Sequence, residues 1–195
     1  MEPFPSDADC LARSLREPKA FELIFDRHFG ALHRYLHRRA GRDLADELAA
    51  ETFALAFERR ASCRAGGSVL PWLYGIATNV LRRRRRAERR QLRAYGRSGV
   101  DRWAAYEDEA ASRVDGSSLG VRLARALAAM RPRERDALLL YALADLSYEE
   151  IAFALEVPVG TVRTWLHRAR RIAQRELVAE TDGSLSRHQE LIGNG

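Results

Sequence analysis

The chain has 195 residues, 46% of them hydrophobic and 31% charged, with 33 Lys+Arg against 27 Asp+Glu and a formal charge of +6. That composition can bury a core, which excludes wholesale disorder and a collagen-like fibre, and the length allows one or two domains. The charge is local: residues 82–97 hold nine Arg and one Glu while residues 98–118 are net acidic, a pattern that points to a shaped polyanion as partner.

Apolar residues recur at helical spacing along nearly the whole chain and no stretch keeps a period of two, so the expected class is all-α. After an N-terminal segment, residues 1–18, Leu23, Ile24, Phe25, Phe29, Leu32, Tyr35 and Leu36 mark a first amphipathic helix. A second runs from about Asp43 to Arg60 on Leu44, Leu48, Phe53, Leu55 and Phe57. Gly66-Gly67 breaks the pattern, and Pro71 suits the first turn of a third helix striped by Trp72, Leu73, Ile76, Ala77, Val80 and Leu81. Five consecutive arginines, Arg82 to Arg86, close it. They span more than one turn, so they cannot all face one strand of nucleic acid. Residues 91–118 are polar and glycine- and serine-containing and read as a flexible linker.

A second helical unit, residues 119–180, follows. Leu119, Leu123, Leu127 and Met130 share one helix face, and Pro132 opens a further helix. Ser147-Tyr-Glu-Glu150 is a capping box flanked by Leu146 and Ile151 at staple spacing. The short helix it starts is interrupted at Glu156-Val-Pro158, after which a longer helix places Val162, Leu166, Ala169, Ile172 and Ala173 on one side. Arg163, Thr164, His167, Arg168, Arg170 and Arg171 crowd the other. A short capped helix, a tight turn and a basic second helix make a helix-turn-helix whose donors suit a major groove. The blander reading, an αα-hairpin with a solvated polar face, leaves these arginines little to pair with. Residues 181–195 read as a flexible tail.

Cys10 and Cys63 fit neither a disulfide framework nor a metal spacing, and the acidic N-terminus has no basic, then apolar, leader. With no apolar run near the roughly 20 residues of a membrane span, the expectation is a cytoplasmic protein without membrane insertion. His33 and His37 are four apart on a helix but have no further ligand set, and no nucleophile and base accompany one another. The chain therefore reads as no enzyme, with no metal or cofactor.

On these residues the chain is similar to a known family. LSYEEIAFALEVPVGTVRTWLHRAR, Leu146 to Arg170, resembles region 4 of the bacterial sigma-70 factors, in particular their small extracytoplasmic-function group. DLADELAAETFALAFERR, Asp43 to Arg60, resembles the region 2 helix that docks on polymerase, and WLYGIATNVLRRRRR, Trp72 to Arg86, the helix that handles the −10 element. The resemblance implies two small domains, a region 2 bundle over 19–90 and a region 4 helix-turn-helix over 119–180. It implies binding to core RNA polymerase and promoter DNA, and restraint by an anti-sigma factor.

Residue by residue, it implies polymerase contacts at Asp46, Glu47, Glu51, Thr52 and Phe53, and −10 contacts at Arg64, Gly66, Gly67, Ser68, Asn79, Arg82, Arg83 and Arg86. The −35 contacts would be the six polar residues of the last helix, and Glu107, Asp108 and Glu109 would imitate RNA charge. Four positions depart from the family pattern. Glu156 stands where Gly is usual at the turn, implying either left-handed strain of about 1–2 kcal/mol or a differently shaped turn. Trp165 replaces a common Arg or Lys, Ala50 a common Gln and Gly75 a common Arg. A dimeric helix-turn-helix regulator is the competing reading, but the N-terminal unit looks like neither an effector pocket nor a dimer helix.

Overall fold

A computed structural model describes residues 5–63, 69–94 and 118–178, and among these every regular element is helical. Eight α-helices occur there: α1 Asp7–Ser14, α2 Glu22–Ala40, α3 Arg42–Glu58, α4 Val69–Ala94, α5 Ser118–Ala129, α6 Pro132–Ala144, α7 Tyr148–Leu155 and α8 Val159–Val178.

The first unit is a bundle of α2, α3 and α4 with α1 laid across it. Ser6 caps α1 by accepting from the Asp9 N–H at 3.2 Å, while the Ser6 N–H donates to the Asp9 carboxylate at 3.1 Å. Asp7, in the first turn, reaches Arg27 at 2.8 Å and His28 at 2.5 Å and so pins α1 to α2. Partial burial pushes the Asp7 carboxyl up, but these two partners outweigh it and hold it below the usual carboxylate range. Gly41 makes the corner between α2 and α3 at φ 80°, a region in which a side chain is strained.

The helix α4 runs on through the arginine block to Ala94, beyond position 91 where the linker is expected to begin. Its 26 residues make a rod of about 39 Å at 1.5 Å per residue. Residues 95–117, which carry the rest of the expected linker with Glu107, Asp108 and Glu109, lie outside the described residues, as do 64–68 and the tail.

In the second unit, α5 and α8 enclose a small core of Ala126, Leu127, Met130 and Ala169. The larger core does not stop at the unit boundary. Leu32, Leu48, Leu73 and Leu81 of the bundle belong to the same buried cluster as Leu140, Ile151 and Leu166 of the second unit. The two helical units are therefore packed on each other, with α4 against α7 and α2 against α6.

The turn between α7 and α8 keeps the left-handed form: Glu156 has φ 54° and ψ 49°. Its N–H donates to the Phe153 carbonyl at 3.3 Å and the Val157 N–H to the Ala152 carbonyl at 3.0 Å, the paired bonds of a Schellman cap. The side chain at 156 thus bears the strain that Gly would avoid. Glu156→Gly is expected to stabilise the chain by about 0.5–1 kcal/mol, the relieved strain less the extra chain entropy of Gly, read as a higher urea midpoint at unchanged slope.

Candidate nucleic-acid interface

The helix-turn-helix forms as its local chemistry dictates. The Glu150 N–H donates to Ser147 Oγ at 3.2 Å, the Ser147 N–H donates to the Glu150 carboxylate at 2.9 Å, and Leu146 and Ile151 are both buried beneath the cap. On α8, Val162, Leu166 and Ala169 are buried, whereas Arg163, Thr164, His167, Arg168, Arg170 and Arg171 are all exposed. Two of these six are held by neighbours. Arg170 donates to the Tyr148 hydroxyl at 3.0 Å with its guanidinium 5.2 Å from the Tyr141 ring centre, and Thr164 Oγ1 donates to the Gly160 carbonyl at 3.0 Å. Arg168 lies 3.7 Å from Glu134, a loose pair from which a phosphate or a base edge could draw it. Trp165 is half-buried and carries the Arg133 guanidinium 5.8 Å from its ring centre.

On α4, Gly75, Asn79, Arg82 and Arg86 follow one another at i, i+4, i+7 and i+11, a single stripe about 60° wide. Asn79 is exposed in a shallow cleft with Ile76, Arg83 and Arg133. Arg82 donates from Nε to Asp136 at 2.7 Å, and Arg83 approaches Glu51 at 3.4 Å. Arg86 is exposed on the wall of a larger cleft of about 480 Å³ that Arg133, Trp165 and Arg168 also line. Arg64, Gly66, Gly67 and Ser68 lie outside the described residues. Trp72, expected in the core, is half-buried and borders a groove with Phe153, Val157 and Pro158.

The acidic face of α3 needs correction in two places. Asp46 is 85% exposed, although its carboxylate meets His33 at 2.8 Å, and Glu51 is 31% exposed. Thr52 and Phe53 are buried and form no surface. Successive helical residues turn by 100°, so where Glu51 faces out Thr52 faces in, and its hydroxyl donates to the Leu48 carbonyl at 2.7 Å. Phe53 packs under Phe25 at 4.8 Å between ring centres; Phe25, 40% exposed, supplies the surface aromatic instead. Sequence reading also misses Arg84, which binds Glu47 at 2.6 Å and Glu51 at 3.1 Å and so neutralises part of this face from the neighbouring helix.

Behind the clefts lies a buried ion cluster that no motif announces. The Asp136 side chain, 4% exposed, receives Arg39 on one oxygen at 2.8 Å and Arg82 on the other at 2.7 Å, and Arg39 is itself only 2% exposed and donates to the Tyr35 hydroxyl at 2.7 Å. Burial pushes the Asp136 carboxyl up, but the charges and hydrogen bonds of Arg39 and Arg82 outweigh it and hold it below the usual range. Among the described residues no three His, Cys, Asp or Glu side chains gather to hold a metal ion. Burial raises the Cys63 thiol, which works against a reactive thiolate.

Comparison with known proteins agrees with this layout. Residues 24–91 match the family model of sigma-70 region 2, and residues 120–172 that of sigma-70 region 4. The chain is 34% identical over 157 residues to the ECF RNA polymerase sigma factor SigE of Mycolicibacterium smegmatis, covering 78% of this chain and 59% of that protein. It is 30% identical over 174 residues to the RNA polymerase sigma factor CarQ of Myxococcus xanthus, covering 86% of this chain and 94% of that one. Thus it spans well under two thirds of the first relative and nearly all of the second. Its fold is like that of CnrH, solved in complex with the cytosolic domain of CnrY, with a TM-score of 0.62 at 21% identity over 89% of this chain and 98% of that one. It is also like the sigma factor RpoE in complex with the anti-sigma factor NepR from Bartonella quintana, with a TM-score of 0.59 at 20% identity over 82% of this chain and 97% of that one.

Proposed function

Because this chain belongs to the sigma-70 family of RNA polymerase sigma factors, in its extracytoplasmic-function group, we propose that it binds core RNA polymerase, directs it to promoters through their −35 and −10 elements, and promotes opening of the DNA. The observation that carries this reading is the exposed polar face of α8, six donors on a helix whose other side is buried, in the same chain as a matched region 2. In this reading α8 enters the major groove at −35, where Arg163, His167, Arg168 and Arg171 reach base edges and phosphates. Asn79, with an amide that both donates and accepts, reads an unpaired −10 base, and Arg82, Arg83 and Arg86 clamp phosphates. Asp46, Glu47 and Glu51, with Phe25 beside them, meet a basic surface of the polymerase. The chain works by binding and not by catalysing a reaction, and it does so in the cytoplasm. No described helix is long and apolar enough to cross a membrane. Both solved relatives named above were captured with a bound protein, and an anti-sigma factor is the corresponding partner here.

The test is transcription in vitro from sheared DNA of the chain's own genome, with purified core polymerase and sequencing of RNA 5′ ends. A sigma factor produces starts that share −35 and −10 sequences; a helix-turn-helix regulator of another kind produces none. On a promoter so identified, Arg168→Ala is expected to weaken binding by roughly 1–3 kcal/mol and to relax preference at one −35 position, checked by filter binding against single-base promoter variants. Asn79→Ala is expected to leave core binding intact and to impair opening, checked by permanganate reactivity of −10 thymines.

A further inference from the structure

The cleft of about 480 Å³ between α4, α6 and α8 is built largely of arginine. We infer that it is a binding site for a compact phosphorylated solute with two or more linked phosphates, inorganic or carried on a nucleoside, and that this anion competes with duplex DNA for Arg86 and Arg168. The competition rests on the promoter reading above; the site itself does not.

Three observations carry it. First, the charges around the cleft are unbalanced: among the described residues nine arginines line it against two carboxylates, Glu134 and Asp136. Asp136 already serves Arg39 and Arg82, one on each oxygen. Glu134 accepts from the Arg131 N–H at 3.2 Å and stands 3.7 Å from Arg168, beyond hydrogen-bond length. Arg86 of α4, Arg131 and Arg133 at the start of α6 and Arg168 of α8 are all exposed, and all four line this one space. Guanidinia brought from three helices to one concavity focus a positive potential there, and linked phosphates satisfy several planar forks at once.

Second, the space suits a small molecule. Its volume falls within the roughly 300–1,000 Å³ of small-ligand sites. A duplex strings its phosphates along a convex surface, about one per 3.4 Å of axis on each strand, and so meets the outer arginines singly, whereas a compact polyphosphate can enter and be surrounded. The first turn of α6 lines the same space and adds the positive end of a 13-residue helix. Third, Trp165 borders the cleft, half-buried, with the Arg133 guanidinium 5.8 Å from its ring centre. The family commonly has Arg or Lys here, so the ring is this chain's own addition beside the arginines. An aromatic face next to phosphate-binding arginines is where the base of a nucleotide stacks, and the nucleoside-bearing form is therefore expected to bind more tightly than the inorganic one.

The experiment is titration calorimetry of the full chain at fixed ionic strength and without divalent metal, with inorganic triphosphate and GTP as probes. One molecule of either is expected to bind per chain, GTP the more tightly. Arg131→Gln with Arg133→Gln is expected to weaken both at least about tenfold, the cost of one lost charge-assisted bond. Arg38→Gln with Arg175→Gln removes the same charge from exposed positions outside the cleft and is expected to change neither. Trp165→Leu is expected to bring GTP down to the affinity of triphosphate and to leave triphosphate unchanged; equal affinities in the wild type would assign the site to the inorganic form. Circular dichroism checks that each variant keeps its helices. The site is overturned if the wild type shows no saturation by about 1 mM of either probe, or if the two double variants lose equally. On an identified promoter duplex, triphosphate is expected to displace the wild type, and the Arg131 and Arg133 double variant to need about tenfold more of it. Equal displacement of both would be ionic screening alone and would overturn the competition. A chain that binds triphosphate but directs no transcription overturns the sigma reading and leaves the site standing.

Discussion

Asp136→Ala is expected to remove about 3–5 kcal/mol from the stability of the free chain, because it strips a fully desolvated guanidinium of its counter-charge. Arg39 would lose its 2.8 Å bond to the Asp136 carboxylate, and the neutral Tyr35 hydroxyl to which it also donates does not replace that charge. The chain has a way to limit the loss: parting of the two units returns Arg39 and Arg82 to water. The measured effect should therefore divide between a lower urea midpoint and an expanded native state with a smaller unfolding slope. An unchanged midpoint and slope would mean that Asp136 contributes nothing net. The wild-type cluster also sets a pH window. Its carboxyl titrates below the ordinary value of 3.8, so its contribution is fully present above that value and is lost as the pH falls through the lower native one. Stability from this group should be flat between about pH 5 and 8 and should decline only in strong acid.

Ile151→Ala is expected to cost about 2–5 kcal/mol, the range for emptying a well-packed aliphatic site. Ile151 is fully buried, packs beneath the Ser147 cap and belongs to the core cluster that runs from α2 to α8. Its loss should loosen α7 and the α4 face against which α7 is seated. Hydrogen exchange should report this as faster exchange in both helices, although Ile151 lies on only one of them. Leu127→Ala is the contrasting case, since Leu127 lies in the smaller cluster between α5 and α8. It should speed exchange there and leave α4 protected. Equal exchange in α4 for both variants would argue against a continuous core.

The features that sequence reading recovers depend on residues within five positions of one another. The Ser147–Glu150 box, the Leu146–Ile151 staple and the division of α8 into a buried stripe and an arginine face follow from hydrogen bonds and helical periodicity that a short peptide already contains. The same reasoning fails at Thr52 and Phe53, where the family motif names the residue type but the roll of α3 against α2 decides which way it faces. It fails again for the arginine run. Five adjacent identical residues carry no local sign of which one meets DNA, and only packing assigns Arg82 to Asp136 and Arg84 to Glu47 and Glu51.

By itself the sequence determined an all-α chain, a capped helix-turn-helix with its six outward residues, and an acidic helix beside an arginine-rich one, because each is written in local periodicity and charge. Tertiary structure alone decided that the two units share a core. Arg39 meets Asp136 across 97 residues of chain and Arg82 meets it across 54. Gly75 finds the Ala154 carbonyl in a helix that lies beyond the linker. A buried ion cluster and a missing Cβ acquire meaning only from the partner opposite, and no pattern within one helix specifies that partner.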